Sequence, residues 1–305
     1  MNEPSTGPNA ATLLGVLSIV LWSTTIALSR SLTEQLGTLS AAASIYLLGG
    51  AVGCAYLLLG HGRMAALRSL PFGYLLVCGV LFVGYTVCLY LAVGLASGRQ
   101  QVIEVGIINY LWPSLTLALS VPILHHKPRR ALPLGLATAT AGVTLAMLQG
   151  GAFRWSVLIE NLTENCLPYL AALVGAVLWG LYSNLSRRLG GRAGGGAVPV
   201  FVLASGVLLA AMRLARPETS HVSARAIAEL IFLSAGPCLA AYVCWDIAMR
   251  RGRIVLVASL SYLIPLLSTI ITCAYLGVAM GLGIWLACFL VIGGAWLCNR
   301  SVIPR

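Results

Sequence analysis

Acidic side chains inside long apolar runs are the first residues whose chemistry asks for an explanation, because ionisable groups carried into a bilayer are functional candidates by default. Two qualify here, Asp246 and Glu104. Asp246 stands four residues before Arg250, a spacing that puts both on one helix face. It reads either as half of a structural ion pair or as a group that binds a proton or a substrate amine. Glu104 lies about one turn inside its run and reads as interfacial or as a second coupling group. Neither sits at mid-span, where a dedicated proton relay would need it, so proton coupling and facilitated diffusion both stay open.

The other chemistry is aromatic and neutral. Trp22 shares a helix face with Ser18, Thr25 and Ser29, and Trp179 is followed by Tyr182, Ser183 and Ser186. Tyr46, Tyr85, Tyr90, Asn109, Tyr110, Trp112 and Trp245 add further rings, hydroxyls and an amide within apolar runs. Any one of these could serve helix–helix packing. As a set they describe a cavity that stacks a planar apolar group and hydrogen-bonds a polar one. Pro113 and Pro265 fall inside runs as well, where a missing amide and a ring clash bend a helix, so both are candidate hinges.

The elements that position these residues follow from composition. Of 305 residues, 59% are apolar and only 9% charged, against roughly 25% charged in soluble domains. The apolar residues come in runs of about twenty, the length that crosses a hydrocarbon core about 30 Å thick. They run near 11–30, 39–59, 72–94, 101–121, 131–149, 168–187, 197–213, 226–249, 254–276 and 281–299. Continuous rather than alternating apolarity makes them helices, not barrel strands. The expected fold is thus all-α, with ten transmembrane helices. Ten spans put both termini on one side. Cytoplasmic termini leave 13 of the 19 arginines and lysines inside and 6 outside, which satisfies the positive-inside rule. That bias accounts for the net charge of +11 without a polyanionic partner, and no basic–aromatic face suggests nucleic acid. The nine cysteines show no C-x-x-C pair and no zinc spacing, so neither metal nor cofactor is expected. Phosphate-loop, zincin and nucleophile-elbow motifs are missing, and GGRAGGG at 190–196 reads as a flexible link. The expectation is a protein that is not an enzyme.

An internal repeat organises the chain. VLWSTTIALSRSL at 20–32 and VLWGLYSNLSRRL at 177–189 share seven of thirteen residues. NYLWP at 109–113 pairs with SYLIP at 261–265, and CLYLA at 88–92 more weakly with CWDIA at 244–248. The offsets of 157, 152 and 156 agree on a unit of five spans. Because five is odd, the second unit (151–305) enters the membrane upside down relative to the first (1–150), the inverted arrangement of many secondary transporters, with a site between the halves.

The stretch EVGIINYLWPSLTLALS at 104–120, with VLWSTTIALSR and VLWGLYSNLSRR, resembles the EamA-type branch of the drug/metabolite transporter superfamily, and within it the YddG-type aromatic amino-acid exporters. The likeness covers nearly the whole chain. It implies an inner-membrane exporter of aromatic and other amino acids, working by alternating access through a central cavity. Trp22, Asn109, Tyr110, Trp112 and Trp179 fall on the family's motif positions, whereas Tyr46, Tyr85, Tyr90, Tyr182 and Trp245 rest on position and chemistry. Relatives in the superfamily carry sugars, nucleotide sugars and drugs too, so a broad-specificity exporter is the alternative. The expected partners are the small-molecule substrate and the lipid bilayer; a monomer is the default, with the oligomeric state left open.

Overall fold

The computed structural model describes residues 7–148, 155–190, 196–276 and 282–303, nearly all of them helical. A bilayer offers the backbone no hydrogen bonds, and a helix satisfies every N–H and C=O within its own segment. The helices are α1 (Pro8–Ser23), α2 (Thr25–Leu36), α3 (Thr38–Leu59), α4 (Arg63–Arg68), a π turn at Tyr74–Cys78 running into α5 (Gly79–Leu95), α6 (Arg99–Asn109) and α7 (Trp112–Leu124). They continue as α8 (Leu132–Met147), α9 (Trp155–Glu164), α10 (Leu167–Gly190), α11 (Val198–Ala215) and α12 (Ala224–Leu233). A π segment at Ser234–Ala240 joins α12 to α13 (Ala241–Arg251), and α14 (Ile254–Leu260), α15 (Leu263–Leu276) and α16 (Leu282–Ser301) follow. Residues Lys127–Pro128 and Val302–Ile303 pair as a two-residue antiparallel bridge. Among the described residues, eight helical stretches are long and apolar enough to cross a membrane, and Pro8–Ser23 and Leu132–Met147 are shorter apolar helices. The chain is a multi-pass membrane protein.

Each apolar run is helical where it is described, but the helices are less continuous than the runs. The run at 11–30 breaks at Thr24, where Ser23, Thr24 and Thr25 turn their hydroxyls back onto the carbonyls of Ile19, Leu21 and Trp22. Three successive side chains competing for backbone acceptors bend a helix in this way. The other two breaks lie just before the in-run prolines. Tyr110–Leu111 separates α6 from α7, whose second residue is Pro113, and Ser261–Tyr262 separates α14 from α15, whose third is Pro265. Proline has no N–H for the carbonyl four residues earlier, so the turn opens on its N-terminal side. The short helices α4 and α9 occupy connections that an apolar-run reading leaves as loop. Most of the glycine-rich link at 190–196 lies outside the described residues.

Packing relies on close backbone approach. A Cβ on Gly50 of α3 would stand 2.5 Å from Leu203 Cα and N in α11, and one on Gly206 of α11 2.6 Å from Leu47 N in α3. The pair α8 and α16 meets the same way, with Gly142 against Val291 and Gly294 against Ala139. Lipid tails are as apolar as leucine, so small residues that admit close van der Waals contact supply what the hydrophobic effect supplies in water.

A strap at one end ties the ends of α2, α3 and α12. The Glu218 carboxylate accepts from the Leu39 and Ser40 amides (3.0 and 2.8 Å) and the Ser40 hydroxyl, capping the N-terminus of α3 from far along the chain. Arg213 lies 3.8 Å away, and Ser220 donates to Leu36 O. Burial pushes the Glu218 carboxyl up, but the Leu39 and Ser40 hydrogen bonds and the Arg213 charge outweigh it and hold the group below its usual range. A depressed carboxylate stabilises the fold above its unfolded pKa, and that contribution is lost as pH falls through the folded one. Glu218→Ala should therefore cost about 0.5–2 kcal/mol at pH 7, as N-cap losses do. In detergent melts the gap to wild type should close as pH falls through the acidic range; a pH-independent gap would refute it.

Candidate binding cavity

A cavity of about 250 Å3 lies among α1, α3, α5, the α6–α7 break, α10 and the π segment of Ser234–Ala240. That is slightly below the roughly 300–1,000 Å3 usual for small-molecule sites, room for a single compact molecule. Eight of the ten aromatic and amide residues singled out from the sequence line it: Trp22, Tyr46, Tyr85, Tyr90, Asn109, Tyr110, Trp112 and Trp179. The broken helices explain how they converge. Opening the turn at Tyr110–Leu111 aims Asn109, Tyr110 and Trp112 at one space, although a straight helix would spread three such near neighbours around its circumference.

Trp22 is the hub. Its ring centroid lies 6.4 Å from that of Trp112, 5.8 Å from Trp179 and 5.4 Å from Tyr242, all edge-on. Edge-to-face arrangements are the favoured geometry for such rings. The Trp22 indole donates to Pro237 O (3.1 Å) and the Ser18 hydroxyl to Ala241 O (2.9 Å), so one face of α1 caps carbonyls of the π segment and the start of α13. Tyr85 packs 4.7 Å from Trp179, and the hydroxyls of Tyr46 and Tyr242 bond each other at 2.8 Å. The Oδ1 of Asn109 is buried and has no hydrogen-bond partner among the described residues. No charged side chain is found among the described residues that line the cavity.

Tyr182 and Trp245 lie one layer deeper. Both are fully buried beneath the wall, Trp245 donating to Ser183 Oγ (3.2 Å) and Tyr182 to Asp246 Oδ1 (3.1 Å). Asp246 anchors a closed network there. Tyr74 also donates to its Oδ1 (3.1 Å), Arg250 Nη1 lies 3.2 Å from its Oδ2, and Arg250 Nη2 donates to Gly190 O (2.8 Å). This network joins the start of α5, α10 and α13 and leaves the Asp246–Arg250 pair almost without solvent exposure. Glu104 is away from the cavity as well. It accepts from Gln100, Asn161 and Tyr169, tying α6 to α9 and α10. Of the candidate hinges, Pro113 is buried just behind the wall, and Pro265 directly follows Ile264, which lines the cavity.

Sequence reasoning passed over Tyr242, Pro237 and Cys238, which line the cavity on the side of the π segment. Tyr242 was detectable, since it is a hydroxyl inside an apolar run three residues from Trp245. Pro237 and Cys238 were not, because an unbroken α-helix would direct them differently from the π segment they occupy.

Residues 9–148 and 167–300 each match the model of the EamA-like transporter family. The chain is 32% identical over 288 residues to the aromatic amino acid exporter YddG of Escherichia coli K12, covering 94% of this chain and 96% of that protein. It is 34% identical over 289 residues to the protein of that name from Ancylobacter novellus, with the same coverage. A solved crystal structure, 30% identical, superposes with a TM-score of 0.80 over 95% of this chain and 96% of its own.

Proposed function

The chain belongs to the EamA-like transporter family, and on that premise we propose that it exports aromatic amino acids, with other amino acids as further cargo, across an inner membrane by alternating access. The observation that carries the proposal is the ring-walled cavity around Trp22, with no charged side chain among its described lining residues. Its rings suit an aromatic side chain. The hydroxyls of Tyr90 and Tyr110 and the Asn109 amide suit the polar end. As a member of this family the protein is a transporter rather than an enzyme.

In this reading ten helices cross the membrane, as two inverted five-helix units over 1–150 and 151–305 around the cavity. The eight long spans with the two shorter apolar helices supply that number. Three features support the repeat. Breaks recur at Tyr110–Leu111 and Ser261–Tyr262, two separate segments match the family model, and the contact of Gly50 with Leu203 is mirrored by that of Gly206 with Leu47. Gly50 and Gly206, and Leu47 and Leu203, are both 156 residues apart, so matched positions touch across a two-fold axis. With both termini cytoplasmic, as the arginine bias favours, the cavity lies in the outer half and the Asp246 network closes the inner half beneath it.

The alternative is a broad-specificity exporter of drugs or other metabolites, whose planar cations aromatic faces would also attract. A lone cation loses its hydration on entry and finds no carboxylate among the described lining residues, whereas an amino acid zwitterion brings its own counter-charge. Proteoliposomes loaded with labelled phenylalanine should release it only when they contain the protein, and Trp179→Ala should slow that release. Stacking losses of about 0.5–1.5 kcal/mol beyond area burial correspond to weakening of a few-fold to about tenfold. No protein-dependent release would overturn the proposal. Pro113→Ala and Pro265→Ala restore backbone bonds at the breaks and should slow exchange while leaving the protein folded. Unchanged flux in both would remove their assignment as hinges.

A further inference from the structure

Apart from the central cavity, a groove of about 790 Å3 lies on the surface of the protein between α5 and α11. Its floor and walls are Leu75 from the π turn before α5, Val80, Val83 and Val87 from α5, and Phe201 and Leu208 from α11. Val80 is 63% exposed and Leu76 beside it 53%, so no described residue covers these positions. The floor is kept shallow-sided by glycine. A Cβ on Gly79 would press on the Phe201 ring at 3.0 Å, and one on Gly84 on the Leu178 side chain at 3.0 Å.

One end of the groove is polar. Arg68, the last residue of α4, lines it there beside Leu67, is exposed, and has no hydrogen bond or ion pair among the described residues. The neighbouring Arg63 is already engaged, donating to Tyr56 O and lying 3.7 Å above the Tyr56 ring. From Leu75 to Val87 the wall runs twelve residues, about 18 Å at 1.5 Å per residue. One leaflet of a hydrocarbon core about 30 Å thick is about 15 Å deep. A cationic mouth over an apolar trough of that length has the charge and reach of a single phospholipid.

We propose that this groove holds an anionic phospholipid of the cytoplasmic leaflet, its phosphate on Arg68 and one acyl chain between α5 and α11. A guanidinium pairs with phosphate through two parallel hydrogen bonds, which a headgroup carrying its own cation partly satisfies already. Lipids with an uncompensated phosphate are therefore preferred over zwitterionic ones. The helices that grip the chain come from the two sequence halves, so the lipid bridges them.

Native mass spectrometry of the full chain, purified with equimolar phosphatidylglycerol and phosphatidylcholine, tests the assignment. At least three-fold preferential retention of phosphatidylglycerol is expected for the wild type. Arg68→Gln should abolish the preference while still retaining some lipid, and Val80→Trp, which fills the groove from an exposed position, should reduce retention of both lipids. Equal retention of the two lipids by wild type would mean annular lipid only and overturn the proposal, as would an undiminished preference in Arg68→Gln. Both substitutions are on exposed residues, and a melting curve for each separates loss of lipid from loss of fold.

Discussion

Arg250→Ala should lower the stability of the protein by about 3–5 kcal/mol, the usual cost of leaving one member of a buried ion pair without its partner. An exposed pair would give about 0–1 kcal/mol, but the Asp246 and Arg250 side chains are only 1% and 3% exposed. The substitution strands the Asp246 carboxylate with two tyrosine hydroxyls and no cation, and it leaves Gly190 O without its donor. Asp246→Leu combined with Arg250→Met should recover most of the loss, since replacing both charges with apolar groups removes the desolvation problem as well as the attraction. Thermal unfolding in detergent measures both. A single variant as stable as wild type would mean that the network contributes little. Because it ties α5, α10 and α13 beneath the cavity, the single variant should also loosen the closed face, and native Cys78, fully buried beside Tyr74 and Asp246, should become reactive to maleimide.

The second large effect concerns a methyl group. Gly50→Ala and Gly206→Ala should each destabilise by about 1–3 kcal/mol, because the new Cβ would meet backbone atoms of the facing helix at 2.5 and 2.6 Å, and backbone cannot rotate away. Helix propensity alone predicts the opposite sign, since alanine is better than glycine inside a helix by about 1 kcal/mol. Two adjacent glycines in α16 separate the effects. Gly294→Ala should destabilise against Ala139, while Gly293→Ala, with open space around it, should be neutral or stabilising. Equal melting points for the Gly293 and Gly294 variants would show that close helix approach is not what holds these pairs.

Much of this was legible in the chain. Runs of about twenty apolar residues leave a membrane as the only solvent, and a membrane leaves helix as the form that satisfies the backbone. Trp22, Trp112 and Trp179 stood out because indoles and hydroxyls inside such runs have little reason to face lipid. Asp246 and Arg250 stood out by spacing, yet spacing could not tell a substrate group from a buried strut. That distinction required Tyr74 and Gly190, which are distant in sequence. Tyr182 and Trp245 fell one layer behind the wall for a related reason. Both α10 and α13 pack against several helices, so periodicity marks a buried face without telling which of its residues meet the cavity and which meet a neighbouring helix.

The sequence by itself determined the solvent, the helices and the stock of rings and hydroxyls, because each follows from local composition and hydrogen-bonding need. Only the tertiary structure decided which of the rings meet at one space and which carboxylates are tied up elsewhere, and that no charged side chain is found among the described residues lining that space. Those outcomes depend on contacts between segments far apart in the chain, such as Trp22 with Pro237 and Tyr182 with Asp246, and no local pattern encodes them.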